Sequence, residues 1–322
     1  MSKPNQRMNE GKKVAIRPIY ISLGMFAVLM AIFTVGNPSF LSSYNLITIV
    51  SSVAILLAVG LGQVCVILTG GIDLSVGSTM SLVSVVFMIA LKPMGAWAYP
   101  AVIAIGAACG LLNGILVSKL RIPSFIATLG TQGILISLTY FISAAPLSVP
   151  ENAFGILDLV NGQLGPVKNV WIIAIVTFLV FYFIQRFTRL GRHIVYIGAN
   201  ERMSWLSGLD IDRVRLLAFT LSGLGAAVAG VILSSTLYSG YPTIGAVYVL
   251  NSIAVVVVGG TAMTGGAGGV ANTLIGALIM GVINNGMTVI GIDVYAQQVV
   301  LGIMIIVAVA VTFDRQKVAV IK

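Results

Sequence analysis

The sequence predicts an all-α polytopic membrane protein with about ten transmembrane helices and glycine-rich segments that break or re-enter the membrane. Three observations predict it. Hydrophobic residues make up 58% of the 322 and charged residues only 8%, against roughly 25% charged in a soluble globular chain, which leaves too little charge to cover a soluble surface. Apolar runs of roughly 20 residues, the length that crosses a bilayer, recur along the chain. Glycine accounts for 36 residues, above the usual ~7%, and small residues let helices approach closely and permit breaks where backbone lines a cavity.

The elements follow in order. Residues 1–17 carry Lys3, Arg7, Lys12, Lys13 and Arg17 and predict a cytoplasmic tail. The apolar run after them is too long for a signal-peptide core and shows no small-x-small cleavage site, so it reads as an uncleaved first span. From there to residue 322 the chain reads as one transmembrane domain. Its predicted spans are 18–36, 46–69, 74–91, 96–118, 122–144, 170–187, 216–237, 249–265, 270–290 and 294–313. The segment 146–169 is the one long outer loop. Cys65 and Cys109 lie inside apolar runs and read as small buried hydrophobes.

Orientation follows from lysine and arginine. With the N-terminus inside, ten spans return the C-terminus inside, and 16 of the 18 basic residues then lie on the inner side, all but Lys92 and Lys168. The net charge of +9 is therefore the signature of positive-inside loops. With no aromatic-plus-basic surface, it does not point to nucleic acid.

The polar island 186–215 holds nine charged residues and the only histidine, His193. Its arginines at 186–192 anchor the sixth span at the inner interface. A turn is expected through Gly198 and Asn200. A short helix is then expected over 201–207, with Asn200 as N-cap, Glu201 in the favourable first turn and Gly208 closing the C-terminus.

Two glycine-rich stretches carry the rest. In TGGIDLSVGS, 69–78, Asp73 is an acid flanked by apolar runs. It reads either as an N-cap, with Ser75, at the start of the third span or as a group on a solute or proton path. In VVVVGGTAMTGGAGG, 255–269, no lysine follows the glycines, so the phosphate-loop pattern fails and a broken or re-entrant segment is expected. The two stretches resemble one another weakly, as an internal repeat would. Asn113, Asn284 and Asn285 are rare polar residues within spans. Interhelical hydrogen bonding and a neutral path for a sugar both remain open for them. No cluster for a metal and no nucleophile–base pair is apparent, so neither enzyme chemistry nor a bound cofactor is expected.

Together, the stretches 69–78, IPSFIATLGT at 122–131, TRLGRHIVYIGANERMSWLSGLDIDRVR at 188–215 and 256–286 resemble the permease subunits of ATP-binding-cassette importers for ribose and related monosaccharides. The resemblance implies a homodimer or paired permease in a bacterial inner membrane with a translocation path between subunits. It implies cytoplasmic ATPase partners that bind ATP and Mg, and a periplasmic sugar-binding protein. It also implies that Gly198, Asn200, Glu201, Ser207 and Gly208 form the coupling helix toward the ATPase. Gly70, Gly71, Asp73, Ser75, Gly259, Gly260, Gly265 and Gly266 then fall near the path, with Asn284 and Asn285 as further candidates. Arg202, Met203, Ser204 and Trp205 are bulkier than that family's usual continuation. An ion-coupled secondary carrier is the alternative from another class. A related importer for amino acids, nucleosides or a signalling sugar is the nearer one.

Overall fold

A computed structural model describes residues 18–312. The basic tail at 1–17 and the C-terminal Arg315, Lys317 and Lys322 lie outside the described residues. The helices in order are α1 Pro18–Gly36, α2 Ser43–Leu68, α3 Val76–Met94, α4 Ala98–Ser118, α5 Ser124–Ile142, α6 Phe154–Asn161, α7 Asn169–Phe187, α8 Arg189–Ala199, α9 Glu201–Leu206, α10 Ile211–Leu237, α11 Tyr248–Val258, α12 Val270–Val289 and α13 Val294–Thr312. Among the described residues there are also four two-residue strands, β1 Leu147–Ser148, β2 Gln163–Leu164, β3 Val167–Lys168 and β4 Ser239–Gly240, and three short 3-10 helices. The strands pair antiparallel as β1 with β4 and β2 with β3.

Among the described residues, six helical stretches are long and apolar enough to cross a membrane, one of them the continuous run Val76–Ser118 that contains α3 and α4. Gly95, at φ 57°, divides that run, and Pro93 in the last turn of α3 cannot carry the helix further. The chain is therefore an all-α polytopic protein.

Helix α10 is the central pillar. It packs on α4, α2 and α3, and close backbone approach makes that possible. Gly106, Gly110 and Gly114, one turn apart on α4, lie against Ala227, Phe219, Gly223 and Leu216 of α10, and Gly62 of α2 lies against Ser222. Small residues at such crossings replace the hydrophobic drive that lipid cannot supply. Around this centre, α5, α7 and α13 expose large apolar side chains such as Phe141, Phe183 and Ile306. Such a belt suits lipid tails and would be a liability in water.

Three expectations are corrected here. The island does not turn at Gly198. Arg189–Ala199 is helical, capped by the Thr188 hydroxyl, which accepts from Gly191 N at 3.2 Å, and it buries Gly191, Ile194 and Ile197 along one face. The apolar stripe was worth more than the glycine. The span at 249–265 ends early, because α11 stops at Val258 where Gly259 and Gly260 begin the break. The segment 146–169, expected as a loop, contains α6, whose Leu157 and Val160 are buried.

Candidate functional site

Helices α2 and α11 end in the same way. At the end of α2, Gly70 takes φ 81°, its amide donates to Ile67 O at 2.8 Å and the Gly71 amide to Val66 O at 3.2 Å. At the end of α11, Gly260 takes φ 95°, its amide donates to Val257 O at 2.9 Å and the Thr261 amide to Val256 O at 3.1 Å. Left-handed glycine satisfies the last carbonyls of a helix without the penalty of a Cβ. This shared stop is the physical content of the internal resemblance between the two stretches.

The two breaks touch. The Gly266 amide donates to Leu68 O at 3.0 Å, the last residue of α2. A Cβ on Gly265 would stand 2.8 Å from Gly70 N and 3.0 Å from Gly198 Cα. Helix α8 closes the junction, since a Cβ on Gly198 would overlap Leu68 O and approach Gly266 N to 2.5 Å. Gly70, Gly265, Gly266 and Gly198 thus form one backbone-to-backbone contact from three distant parts of the chain. Gln185, near the end of α7, accepts from Val270 N at 2.7 Å through Oε1 and so anchors the start of α12.

From this junction α8 passes through Asn200 into α9. Asn200 has extended backbone and its Oδ1 accepts from Met203 N at 3.0 Å, the side-chain cap that a helix start favours. Gly208, at φ 80°, closes α9, with Leu209 N donating to Ser204 O at 3.1 Å. The Ser207 hydroxyl donates back to Met203 O at 2.9 Å. Glu201 accepts from Arg215 of α10 at 2.6 Å, an ion pair at the surface. Met203, Trp205 and Leu206 point outward, 57%, 66% and 62% exposed. An apolar face of this kind on a six-residue helix held at both ends is suited to a partner.

Between α9, the first break and the loop after α4 lies a cleft of about 610 Å³, lined by Gly70, Gly71, Arg121, Ser124, Glu201 and Arg215 among others. It brings two of the expected path residues, Gly70 and Gly71, to the same space as Glu201.

Asp73 and Ser75 belong elsewhere. Both are 1% exposed. The Asp73 carboxylate accepts from Ser75 N at 2.9 Å and Ser75 Oγ at 2.7 Å on one oxygen, and from Ser222 Oγ at 2.7 Å on the other. Asn113 donates to Ser75 Oγ at 2.7 Å and accepts from Thr131 Oγ1 at 2.7 Å. The chain Thr131–Asn113–Ser75–Asp73–Ser222 ties α5, α4, the first break and α10 together. The side-chain cap expected at the start of α3 is not formed: Ser75 is the N-cap residue, and Asp73 accepts its amide in a tight turn just ahead of the helix. The Ser75 hydroxyl extends the network instead of capping. Of the two readings open for Asn113, its hydrogen bonds to Ser75 and Thr131 fit the interhelical one. Ser222 and Thr131 carried no local signal.

Gly259 packs on Asn272 and Gly276 of α12, away from the cleft. Asn284 and Asn285 are at the other end of α12. Asn285 exchanges reciprocal amide hydrogen bonds of 2.9 Å with Asn45. Among the described residues no group of three His, Cys, Asp or Glu side chains could hold a metal ion.

Residues 44–309 match the family described as "Branched-chain amino acid transport system / permease component". The chain is similar to the ribose import permease protein of Escherichia coli strain K12, 38% identical over 302 residues that cover 92% of this chain and 94% of the relative. It is similar to the D-allose transport system permease protein of the same strain, 34% identical over 300 residues, 90% of each chain. It is also similar to the fructose import permease protein of Rhizobium meliloti, 33% identical over 319 residues, covering 94% of this chain and 85% of the relative. No solved structure matches.

Proposed function

The chain belongs to the branched-chain amino acid transport system / permease component family, and from that membership we propose that it is the membrane-spanning permease subunit of an ATP-binding-cassette importer for a monosaccharide. The chain crosses the bacterial inner membrane ten times, by α1–α5, α7, α10, α12 and α13 and by α11 together with the glycine break that follows it, with both termini in the cytoplasm. The clustering of arginine in 186–215 supports that orientation. A second permease chain, either a copy of this one or a paired permease, encloses the path with it. ATP and Mg are bound by cytoplasmic partner subunits, and a periplasmic binding protein delivers the sugar.

One observation carries the mechanism: the elbow formed by α8 and α9 sits on both glycine breaks at once through Gly198. The exposed face of α9, at Met203 and Trp205, docks on the ATPase. A movement of the ATPase then displaces α8, and α8 cannot move without moving Leu68 and Gly266. The ends of α2 and α11 and the start of α12 follow. Gly70, Gly71, Gly265 and Gly266 act as the joint, and Glu201 holds the elbow to α10 through Arg215. Packed elements with discrete arrangements transmit such shifts, where a soft connector would absorb them.

The substrate class rests on relatives named for ribose, allose and fructose. Ion coupling would want a free titratable group deep in the membrane. Asp73 is instead engaged by three hydrogen bonds, which suits a structural role. To test the reading, the permease is reconstituted with its ATPase and binding protein. Uptake of labelled D-ribose, D-allose, D-fructose and L-leucine is then compared. ATP-dependent uptake of one of the sugars is expected, and uptake of leucine alone would overturn the assignment.

A further inference from the structure

At the end of α2 and α12 remote from the breaks, a pocket of about 380 Å³ opens between α2, α11, α12 and α13. Its size is within the ~300–1,000 Å³ of small-ligand sites. Nine of its twelve lining residues carry neutral hydrogen-bonding side chains, and none carries a charge. Asn251 is 6% exposed. Its Nδ2 donates to Val247 O at 2.9 Å, while its Oδ1 has no hydrogen-bond partner. A buried acceptor left open is costly unless something fills it. Ser52 and Asn284, half-buried, and Gln298, exposed, line the same space, and among the described residues their side chains make no hydrogen bond.

The contrast with Asn285 is instructive. That side chain is satisfied from both ends by Asn45 and so holds α2 to α12. Its neighbour Asn284 is free to face the pocket.

We propose that this pocket is a subsite on the permease itself for a neutral, polyhydroxylated ligand, with Asn251 and Asn284 as its hydrogen-bonding residues. The inference rests on the sugar-import reading and deepens it by placing a sugar contact within this chain. Each sugar hydroxyl both donates and accepts, which matches amide and hydroxyl groups. The open Asn251 Oδ1 accepts a hydrogen bond from a sugar hydroxyl. Tyr248 and Leu56 offer apolar surface to the C–H face of the ring. An amino acid would bring two charges into a wall that offers no counter-charge, at a high cost in desolvation.

The test uses the complete transporter in proteoliposomes, with whichever of D-ribose, D-allose or D-fructose the wild type moves as the probe. Asn251→Leu and Asn284→Ala are each expected to lower uptake about tenfold at limiting sugar, the effect of losing one buried hydrogen bond, while ATP hydrolysis stimulated by the binding protein persists. Because Asn251→Leu risks misfolding, Gln298→Cys provides a second readout. Its labelling by a maleimide is expected to slow when sugar is being transported. Wild-type uptake in both substitution variants, or in Asn284→Ala alone if Asn251→Leu fails to assemble, together with labelling indifferent to sugar, overturns the subsite. If the wild type moves none of the three sugars, the import reading itself falls, and the pocket assignment with it.

Discussion

Gly198, in the last turn of α8, lies against the carbonyl oxygen of Leu68, the last residue of α2, with no space for a Cβ between them. The same oxygen accepts the amide of Gly266 at 3.0 Å. One carbonyl thus marks the point where the α8–α9 elbow meets both breaks.

Asp73 is the acceptor at the centre of the network, taking three hydrogen bonds from the first break and α10. Asp73→Ala leaves Ser75 N, Ser75 Oγ and Ser222 Oγ without their acceptor in a buried place. It is expected to destabilise the purified protein by roughly 3 kcal/mol, and Ser222→Ala by only about 1 kcal/mol. Denaturant titration in detergent checks the ranking. Equal stability of Asp73→Ala and wild type would remove the network as a structural element.

The Glu201–Arg215 pair is at the surface, with side chains 52% and 26% exposed. Exposed pairs contribute only about 0–1 kcal/mol to stability. Glu201→Lys is therefore expected to fold normally, with a melting temperature close to wild type, yet to lose sugar uptake because the elbow is repelled from α10. A melting curve and an uptake assay on one preparation separate the two effects.

Gly208→Ala tests the other end of α9. At φ 80° an alanine costs about 1 kcal/mol more than glycine. Because a Cβ there meets nothing within 4 Å, the cost is purely of backbone. Partial loss of coupled ATP hydrolysis is expected, and rescue by Gly208→Asn, which tolerates left-handed backbone better than alanine, would identify the conformation as the cause.

Asn45 and Asn285 should behave as a unit. Either alanine substitution alone orphans the partner's amide, and the double substitution is expected to cost less than the sum of the two by about 1 kcal/mol. Additive losses in a double-mutant cycle would contradict the reciprocal bond.

How much of this was legible in the sequence varies with range. The long spans follow from apolar length alone. The cap at Asn200 and the stop at Gly208 follow from local side-chain and backbone chemistry, so the helix that begins at Glu201 was placed to within one residue. The helix before it was missed. Gly198 looked like a turn, although Ile194 and Ile197 already had the spacing of a buried helical face. What local signals could not supply was the meeting of residues 68, 198 and 266. Close backbone contact between remote glycines leaves no periodicity, only an excess of glycine. The same holds for Ser222 on Asp73, 149 residues away, and for the pocket at Asn251, where four helices each contribute ordinary-looking polar residues.

The most direct test of the account is Gly198→Ala in the complete transporter, measured for uptake and for ATP hydrolysis together. Gly130→Ala is the control, since a Cβ there meets nothing within 4 Å. Overpacking at Gly198 is expected to cost about 1–3 kcal/mol and to push α8 off the breaks. The assembled complex should then hydrolyse ATP while taking up little sugar, with Gly130→Ala at wild-type levels in both. Wild-type sugar uptake per ATP hydrolysed in Gly198→Ala would contradict transmission through this contact.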